Sequence, residues 1–92
     1  GRFLEQWQLK FGLESNGVRD INRILRRFNE EDAELREVVA EIAEERGDIN
    51  YTKLGYWIKR HAVGVRVDDR RLVKSDKKGN AALYKLEVIL DK

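Results

Sequence analysis

The hydrophobic pattern of this chain changes its period once, and that change sets the order of its secondary structure. Up to about residue 61, apolar residues recur every three or four positions, as they do on one face of a helix. From Val65 onward they alternate with polar residues, which is typical of half-buried strands. The residues Lys78-Gly79-Asn80 supply a tight turn within this alternating part. The sequence therefore predicts helices first and a β-hairpin after them.

Three helices are predicted in the first half of the chain. The first begins near Phe3 and ends at Gly12, a residue type that often caps helix C-termini. The second begins after Gly17 and runs to Phe28. The third follows Asn29, an N-cap candidate, and closes near residues 46–47. The acidic residues of its first turn, which the helix dipole favours, are Glu30, Glu31 and Asp32.

A fourth helix is predicted from residue 51 to about residue 61, behind the N-cap candidate Asn50. Its apolar face is expected to comprise Leu54, Trp57, Ile58 and His61. Its other side carries Thr52, Lys53, Tyr56, Lys59 and Arg60. Gly55 costs about 1 kcal/mol of helix propensity relative to alanine, and close packing against the third helix is one reason to tolerate it. Joined to the third helix by residues 47–50, this segment would complete a helix-turn-helix.

The composition indicates one globular domain over residues 1–92. A chain of 92 residues with 41% apolar and 39% charged residues can build a core without disulfides. It has no cysteine and no proline, and no apolar run approaches the ~20 residues that a membrane span needs. We therefore expect a cytoplasmic protein with no membrane partner. Because the chain begins with Gly1, we also expect a domain excised from a longer protein.

Positive charge is concentrated in the second half of the chain. Residues 50–85 contain ten Lys or Arg and three Asp, a net charge of +7, whereas the whole chain is only +2. Residues 1–47 have a net charge of −3. Such an asymmetry suggests that one half of the molecule faces a polyanion.

Basic residues on a helix followed by a basic hairpin predict a winged helix-turn-helix that binds double-stranded DNA. The fold expected is mainly α with a small β-hairpin and an extra N-terminal helix. Helix 51–61 would lie in the major groove, and hairpin 70–86 would form the wing. Five phosphate contacts from the hairpin would give a salt slope of about −4 to −5. The predicted DNA-binding residues are Thr52, Lys53, Tyr56, Lys59, Arg60, Arg66, Arg70, Arg71, Lys74, Lys77 and Lys78.

Two plainer interpretations account for the same charges. The helix can be an ordinary surface helix with solvated side chains. The hairpin lysines can serve only to prevent edge-to-edge aggregation of strands. The two basic elements side by side favour DNA binding over either interpretation alone.

No catalytic, metal or cofactor site is predicted. There is no cysteine, and the only histidine, His61, lies on the inferred apolar face, so we expect no nucleophile–base pair. No glycine-rich phosphate loop is present, and the acids at 30–34 are expected at a helix start. We therefore expect that this chain is not an enzyme.

Most of the chain resembles the C-terminal domain of phage and mobile-element replication proteins of the primase-helicase type. The residues that carry the resemblance are the run INYTKLGYWIKR at 49–60, GVRV at 64–67, Arg71-Leu72, and the earlier Trp7, KFG at 10–12, Val18 and Ile21. The resemblance implies a winged-helix accessory domain that contacts origin or template DNA beside the rest of a parent replication protein. The chain departs from the family pattern at Tyr84, where a tryptophan is expected. It carries no ATPase or primase motif, so those activities are not implied for this chain.

A protein-interaction or oligomerisation module with the same fold is the alternative function. The acidic outer face of the third helix could dock a basic partner or the basic half of a second copy. That face comprises Glu34, Glu37, Glu41, Glu44 and Glu45. The choice between duplex, forked and single-stranded DNA stays open, because Tyr51 and Tyr56 could stack on unpaired bases.

Overall fold

Helices form the first part of the computed structural model and antiparallel strands form its end, in the order that the hydrophobic period predicts. The structure describes residues 2–79 and 81–89. The helices are α1 (Arg2–Phe11), α2 (Val18–Leu25), α3 (Ala33–Ala43) and α4 (Tyr51–Trp57). The strands are β1 (Glu44–Glu45), β2 (Asp48–Ile49), β3 (Arg66–Val67), β4 (Arg70–Lys78) and β5 (Ala81–Val88). The described part is thus an α+β domain of four α-helices and two antiparallel sheets, and about half of it is helical.

The core lies between the helices and one face of the β3-β4-β5 sheet. Its fully buried side chains include Trp7, Ile21, Leu35, Val39, Leu54, Ile58, Leu72 and Leu86. Each buried aliphatic or aromatic side chain contributes about 1.5–3 kcal/mol relative to exposure. Aromatic rings link the first helix to the fourth, since Phe3 and Trp57 meet edge to face with centroids 5.3 Å apart.

The second helix ends earlier than its sequence pattern predicts. α2 stops at Leu25, and Phe28 adopts a positive φ of 52° with 78% of its surface exposed. Its ring centroid lies 5.0 Å from the guanidinium carbon of Arg36, so the exposed ring makes a cation–π contact. The prediction that the second helix runs to Phe28 was wrong.

The segment before α3 is a 3₁₀ turn, Glu30–Asp32, that Asn29 precedes without a side-chain capping bond. Asp32 is buried and accepts a hydrogen bond from the Lys10 ammonium of α1. The acidic start of the predicted third helix therefore serves in part to tie α3 to α1, because a buried carboxylate needs a charged partner.

The connection between the third and fourth helices is a β-hairpin and not the plain four-residue linker expected at 47–50. β1 pairs with β2, and the two residues between them, Arg46 and Gly47, both have positive φ (53° and 83°). Positive φ at both central positions is the geometry of a type I′ turn, which matches the twist of the strands. α3 consequently ends at Ala43, before the predicted end near residues 46–47.

The fourth helix begins as predicted and widens at its end. The Asn50 side chain accepts a hydrogen bond from the Lys53 N–H (3.0 Å), which confirms the N-cap. Beyond Trp57, residues Ile58–Ala62 form a π-helical turn. The wider turn places Ala62 in the core in place of His61, which is exposed and lies against the Trp57 ring at 5.8 Å.

The hairpin is longer than the small one expected at 70–86. β4 and β5 pair from Arg70↔Val88 to Lys78↔Ala81, and β3 adds a third strand on the other side of β4. Gly79 follows β4 with φ of 64°, as the predicted turn requires, whereas Asn80 lies outside the described residues. The loop before α2 also joins the sheet, because Asn16 and Tyr84 exchange two backbone hydrogen bonds of 2.8 and 2.7 Å.

Candidate nucleic-acid interface

A groove of about 520 Å³ opens between α4, the start of α2 and the start of β5. One wall is the exposed face of α4, and the opposite wall is the first half of β5. The polar and aromatic side chains that line it are Arg19, Asp20, Arg23, Tyr51, Thr52, Tyr56, Lys59 and Tyr84. The groove therefore brings the predicted recognition helix and the predicted wing to one surface.

Close contact between Gly17 and β5 fixes one edge of the groove. A Cβ on Gly17 would lie 2.8 Å from the carbonyl oxygen of Ala82 and 3.2 Å from a methyl of Leu83. The Asp20 carboxylate also accepts a hydrogen bond from the Gly17 N–H (2.9 Å), which holds the first turn of α2 in place. The position of α2 beside the hairpin thus depends on glycine at position 17.

Gly55 lies on the groove as well, but nothing in the packing requires it. A Cβ there would meet only Val18, at 3.7 Å, which is an ordinary van der Waals distance. The neighbour belongs to α2, so the expectation of close packing against the third helix was wrong. Glycine at this position therefore leaves room in the groove and lowers the helix propensity of α4.

Three of the five residues predicted on the outer side of α4 line the groove. Thr52, Tyr56 and Lys59 stand at positions i, i+4 and i+7, so they share one face of the helix. Tyr56 is 67% exposed, and Lys59 is exposed without an ion pair to any residue that the structure describes. This face offers a hydroxyl, an aromatic ring and an unpaired cation.

The lysines of β4 stand directly across from the β5 wall of the groove. Lys74 is the Cα partner of Tyr84, and Lys77 is the partner of Ala82. Residues opposite each other in an antiparallel pair project to the same side of the sheet. Both lysines are exposed, and neither side chain has an ion pair within residues 2–79 and 81–89. Lys78 is the partner of Ala81, and its side chain lies outside what the structure describes.

The arginines at the far end of β4 are not part of this surface. Arg70 donates to Gln8 of α1 (3.2 Å), and Arg71 donates to Glu87 across the strand pair (3.1 Å). Lys77 lies seven positions after Arg70, which corresponds to about 23 Å of strand. Arg66 of β3 is exposed and is the Cα partner of Arg71. The three arginines predicted to bind DNA with the wing therefore lie at the opposite end of the sheet.

Two other predicted residues of the fourth helix lie beside the groove without lining it. Lys53 is exposed, and its ammonium stands 3.8 Å from the Glu45 carboxylate. Arg60 is exposed in the π-helical turn, beyond the groove residue Lys59. Both can extend a basic surface along the segment, but neither faces the hairpin wall.

The groove contains two arginines that the sequence interpretation missed. Arg19 and Arg23 lie four residues apart on α2, and both are exposed. Arg23 pairs with Asp20, whereas Arg19 has no ion pair to a described residue. Their i, i+4 spacing opposite the buried Ile21 was a usable signal. The acidic balance of residues 1–47 hid it.

Two tyrosines of the groove, the half-buried Tyr51 and the buried Tyr84, keep a neutral phenol. Burial raises the pKa of Tyr51, and Asp48 adds to that rise while Arg36 opposes it. Burial alone raises the pKa of Tyr84. Because both pKa values move further above neutral pH, neither phenol adds a negative charge to a surface that would face phosphates.

The acidic residues of α3 form ion pairs or hydrogen bonds with α1. Arg2 contacts Glu41 (3.0 Å) and Glu37 (3.7 Å), and Gln6 donates to Glu34 (3.0 Å). The face proposed for docking a basic partner is thus partly neutralised within the molecule.

Comparisons with known proteins identify no relative of this chain. No protein-family model matches the chain, and searches of curated proteins and of solved structures also find no match. Among the residues that the structure describes, no three His, Cys, Asp or Glu side chains are placed so that they could hold a metal ion. In the same residues, no helix combines the length and apolar character that crossing a membrane requires.

Proposed function

We propose that this domain is a DNA-binding module of the winged-helix type. α4 would enter the major groove, and the β4–β5 hairpin would contact the backbone beside it. The observation that supports this most directly is the groove itself. It joins one face of α4 to the strand that pairs with the hairpin lysines, and its exposed cations Arg19 and Lys59 have no partner among the described residues.

The order and contacts of the elements support the winged-helix part of the proposal. α4 packs on both α2 and α3, and a hairpin follows it in the chain. The bridge between Asn16 and Tyr84 adds a strand-like segment to the hairpin next to α2. In a winged helix-turn-helix, a hairpin lies beside the last of three packed helices. Such an arrangement can place that helix and the hairpin on one DNA duplex.

Six side chains on this surface would contact DNA, four through a positive charge and two through a hydroxyl group. Lys59, Arg19, Lys74 and Lys77 would neutralise phosphates and release counterions. The hydroxyl groups of Thr52 and Tyr56 would donate hydrogen bonds to phosphate oxygens or to base edges. Hydrogen bonds to phosphates would position the helix on the duplex. This division predicts binding that is strong at low salt and modest in sequence preference.

We also propose that the domain belongs to a replication protein of a phage or mobile element. The support is the resemblance of residues 49–72 to the terminal domains of such proteins. The DNA-binding proposal rests on the groove residues and not on this resemblance. The two proposals can therefore be tested separately.

Fluorescence anisotropy with labelled duplex DNA at low salt tests the function. Lys59→Gln removes a groove cation, and Lys85→Gln is its matched control. Lys85 is the partner of Val73, on the side of the sheet opposite to Tyr84. We expect Lys59→Gln to weaken binding about tenfold at 0.1 M salt, and the control to weaken it much less. Absence of duplex binding, or equal effects of the two substitutions, would contradict the proposal.

Sedimentation without DNA at two salt concentrations separates this function from the alternative interaction module. A DNA-binding module should stay monomeric at both. Self-association at low salt that DNA does not compete away would favour the interaction module instead.

A further inference from the structure

We propose that the groove between α4 and the start of β5 receives an unpaired nucleotide, so that the domain prefers DNA where a single strand leaves a duplex. This inference rests on the DNA-binding function proposed above and specifies the form of DNA that it selects. The groove volume of about 520 Å³ lies within the range of small-ligand pockets, about 300–1,000 Å³. A single nucleotide fits a pocket of that class, whereas a base pair within a duplex would stay outside it and contact only exposed side chains such as Arg19 and Lys59.

The absence of a side chain at position 55 leaves space in the groove. Gly55 faces the groove beside Tyr51 and Tyr56, and its only close neighbour would be Val18 at 3.7 Å from an added Cβ. Neither a positive φ nor a tight contact requires glycine here, although glycine weakens the helix. The remaining effect of glycine at position 55 is free space in the groove, which the unpaired nucleotide would fill.

An aromatic ring beside unpaired cations matches the chemistry of an unpaired nucleotide. Tyr56 is the most exposed aromatic side chain of the groove, and an exposed ring offers its face to any base. Arg19 and Lys59 stand on the same groove and form no ion pair with a described residue. A base stacked on Tyr56 would thus have its phosphates next to two available cations.

The nearby hairpin explains why the unpaired nucleotide would come from the end of a duplex. Lys74 and Lys77 of β4 are the Cα partners of Tyr84 and Ala82 of β5, which form the groove wall. A duplex held by these lysines and by α4 would end at the groove. A nucleotide of the single strand that leaves the duplex at this point would be close enough to enter the groove.

Anisotropy with three DNAs tests the inference: a blunt duplex, the same duplex with a short thymine overhang, and that duplex with an abasic overhang of equal length. The abasic overhang matches the phosphate charge but lacks bases. We expect the thymine overhang to improve binding about tenfold over the blunt end, and the abasic overhang to gain much less. Tyr56→Ala and Gly55→Ala should each remove most of this preference, whereas Tyr56→Phe, which keeps the ring face, should retain it.

The outcomes are distinct. Equal affinity for blunt and thymine-overhang DNA would overturn this inference and leave duplex binding in place. A preference that survives both Tyr56→Ala and Gly55→Ala would also overturn it, since the nucleotide would then lie elsewhere. Failure to bind any of the three DNAs would overturn the DNA-binding function itself. Tyr56 is exposed, so its alanine variant should fold, and thermal melting checks each variant.

Discussion

The groove and the α1–α3 face are both rich in charge, but they use it in opposite ways. On the α1–α3 face, Arg2 and Gln6 contact three glutamates of α3, and Lys10 contacts buried Asp32. Around the groove, Arg23 pairs with Asp20, but Arg19, Lys59 and Lys74 have no ion pair within the described residues. Charges that pair inside a molecule hold elements together, whereas charges left without partners are available to a ligand. The net charge of each half indicated the basic region, and the pairing identifies the surface within it.

The largest effect is expected from neutralising the groove. Replacing Arg19 and Lys59 together by glutamine should weaken duplex binding about fiftyfold to a hundredfold at 0.1 M salt, because each neutralised phosphate contributes about 0.9 to the salt slope. Anisotropy titrations measure the change. The matched control neutralises Arg2 and Lys85, away from the groove, and should change affinity by less than about threefold. Similar losses in both double variants would remove the distinction between the two surfaces.

A second effect concerns the edge of the groove. Gly17→Ala places a methyl 2.8 Å from the Ala82 carbonyl oxygen, so α2 and β5 must separate. We expect a loss of about 1–3 kcal/mol in the free energy of unfolding, the usual cost of overpacking. Urea denaturation followed by circular dichroism gives the value. A variant as stable as the wild type would show that the two elements are not in this contact.

Gly55→Ala should act in the opposite direction on stability. A methyl fits beside Val18, and alanine favours the helix by up to about 1 kcal/mol over glycine. The same denaturation experiment should therefore show equal or higher stability. Marked destabilisation would mean that the floor of the groove is packed and not open.

The smallest effect is expected on the α1–α3 face. Arg2→Gln removes the contacts to Glu37 and Glu41, all of which are more than half exposed. Exposed ion pairs contribute about 0–1 kcal/mol, so unfolding should change by less than about 1 kcal/mol and duplex affinity hardly at all. A strong effect on DNA binding would show that this face also contacts DNA.

Local signals in the sequence predict most of the elements. Hydrophobic period and caps predict the four helices, Asn50 at the start of α4, and a hairpin around Gly79. The errors arise where tertiary contacts decide. Arg46 takes a positive φ in the β1–β2 turn, which is uncommon for arginine. The π-helical turn that exposes His61 likewise has no signature in the spacing of apolar residues.

The candidate site was predictable only in part for the same reason. Thr52, Tyr56 and Lys59 share a helical face that spacing alone defines. Arg19 and Arg23 come from a different helix, and only the fold brings α2 beside β5 through Gly17. Spacing also cannot show that Arg70 and Arg71 bond to Gln8 and Glu87 at the other end of the sheet.

The salt dependence of duplex binding tests the central claim most directly, because it counts the cations that contact phosphate. Arg19, Lys59, Lys74 and Lys77 should give a slope of log K against log salt concentration of about −3 to −4 for the wild type. Lys59→Gln should reduce its magnitude by about 0.9, whereas Lys85→Gln should leave it nearly unchanged. A slope near zero, or one that Lys59→Gln does not alter, would contradict the assignment of this groove as the DNA-binding surface.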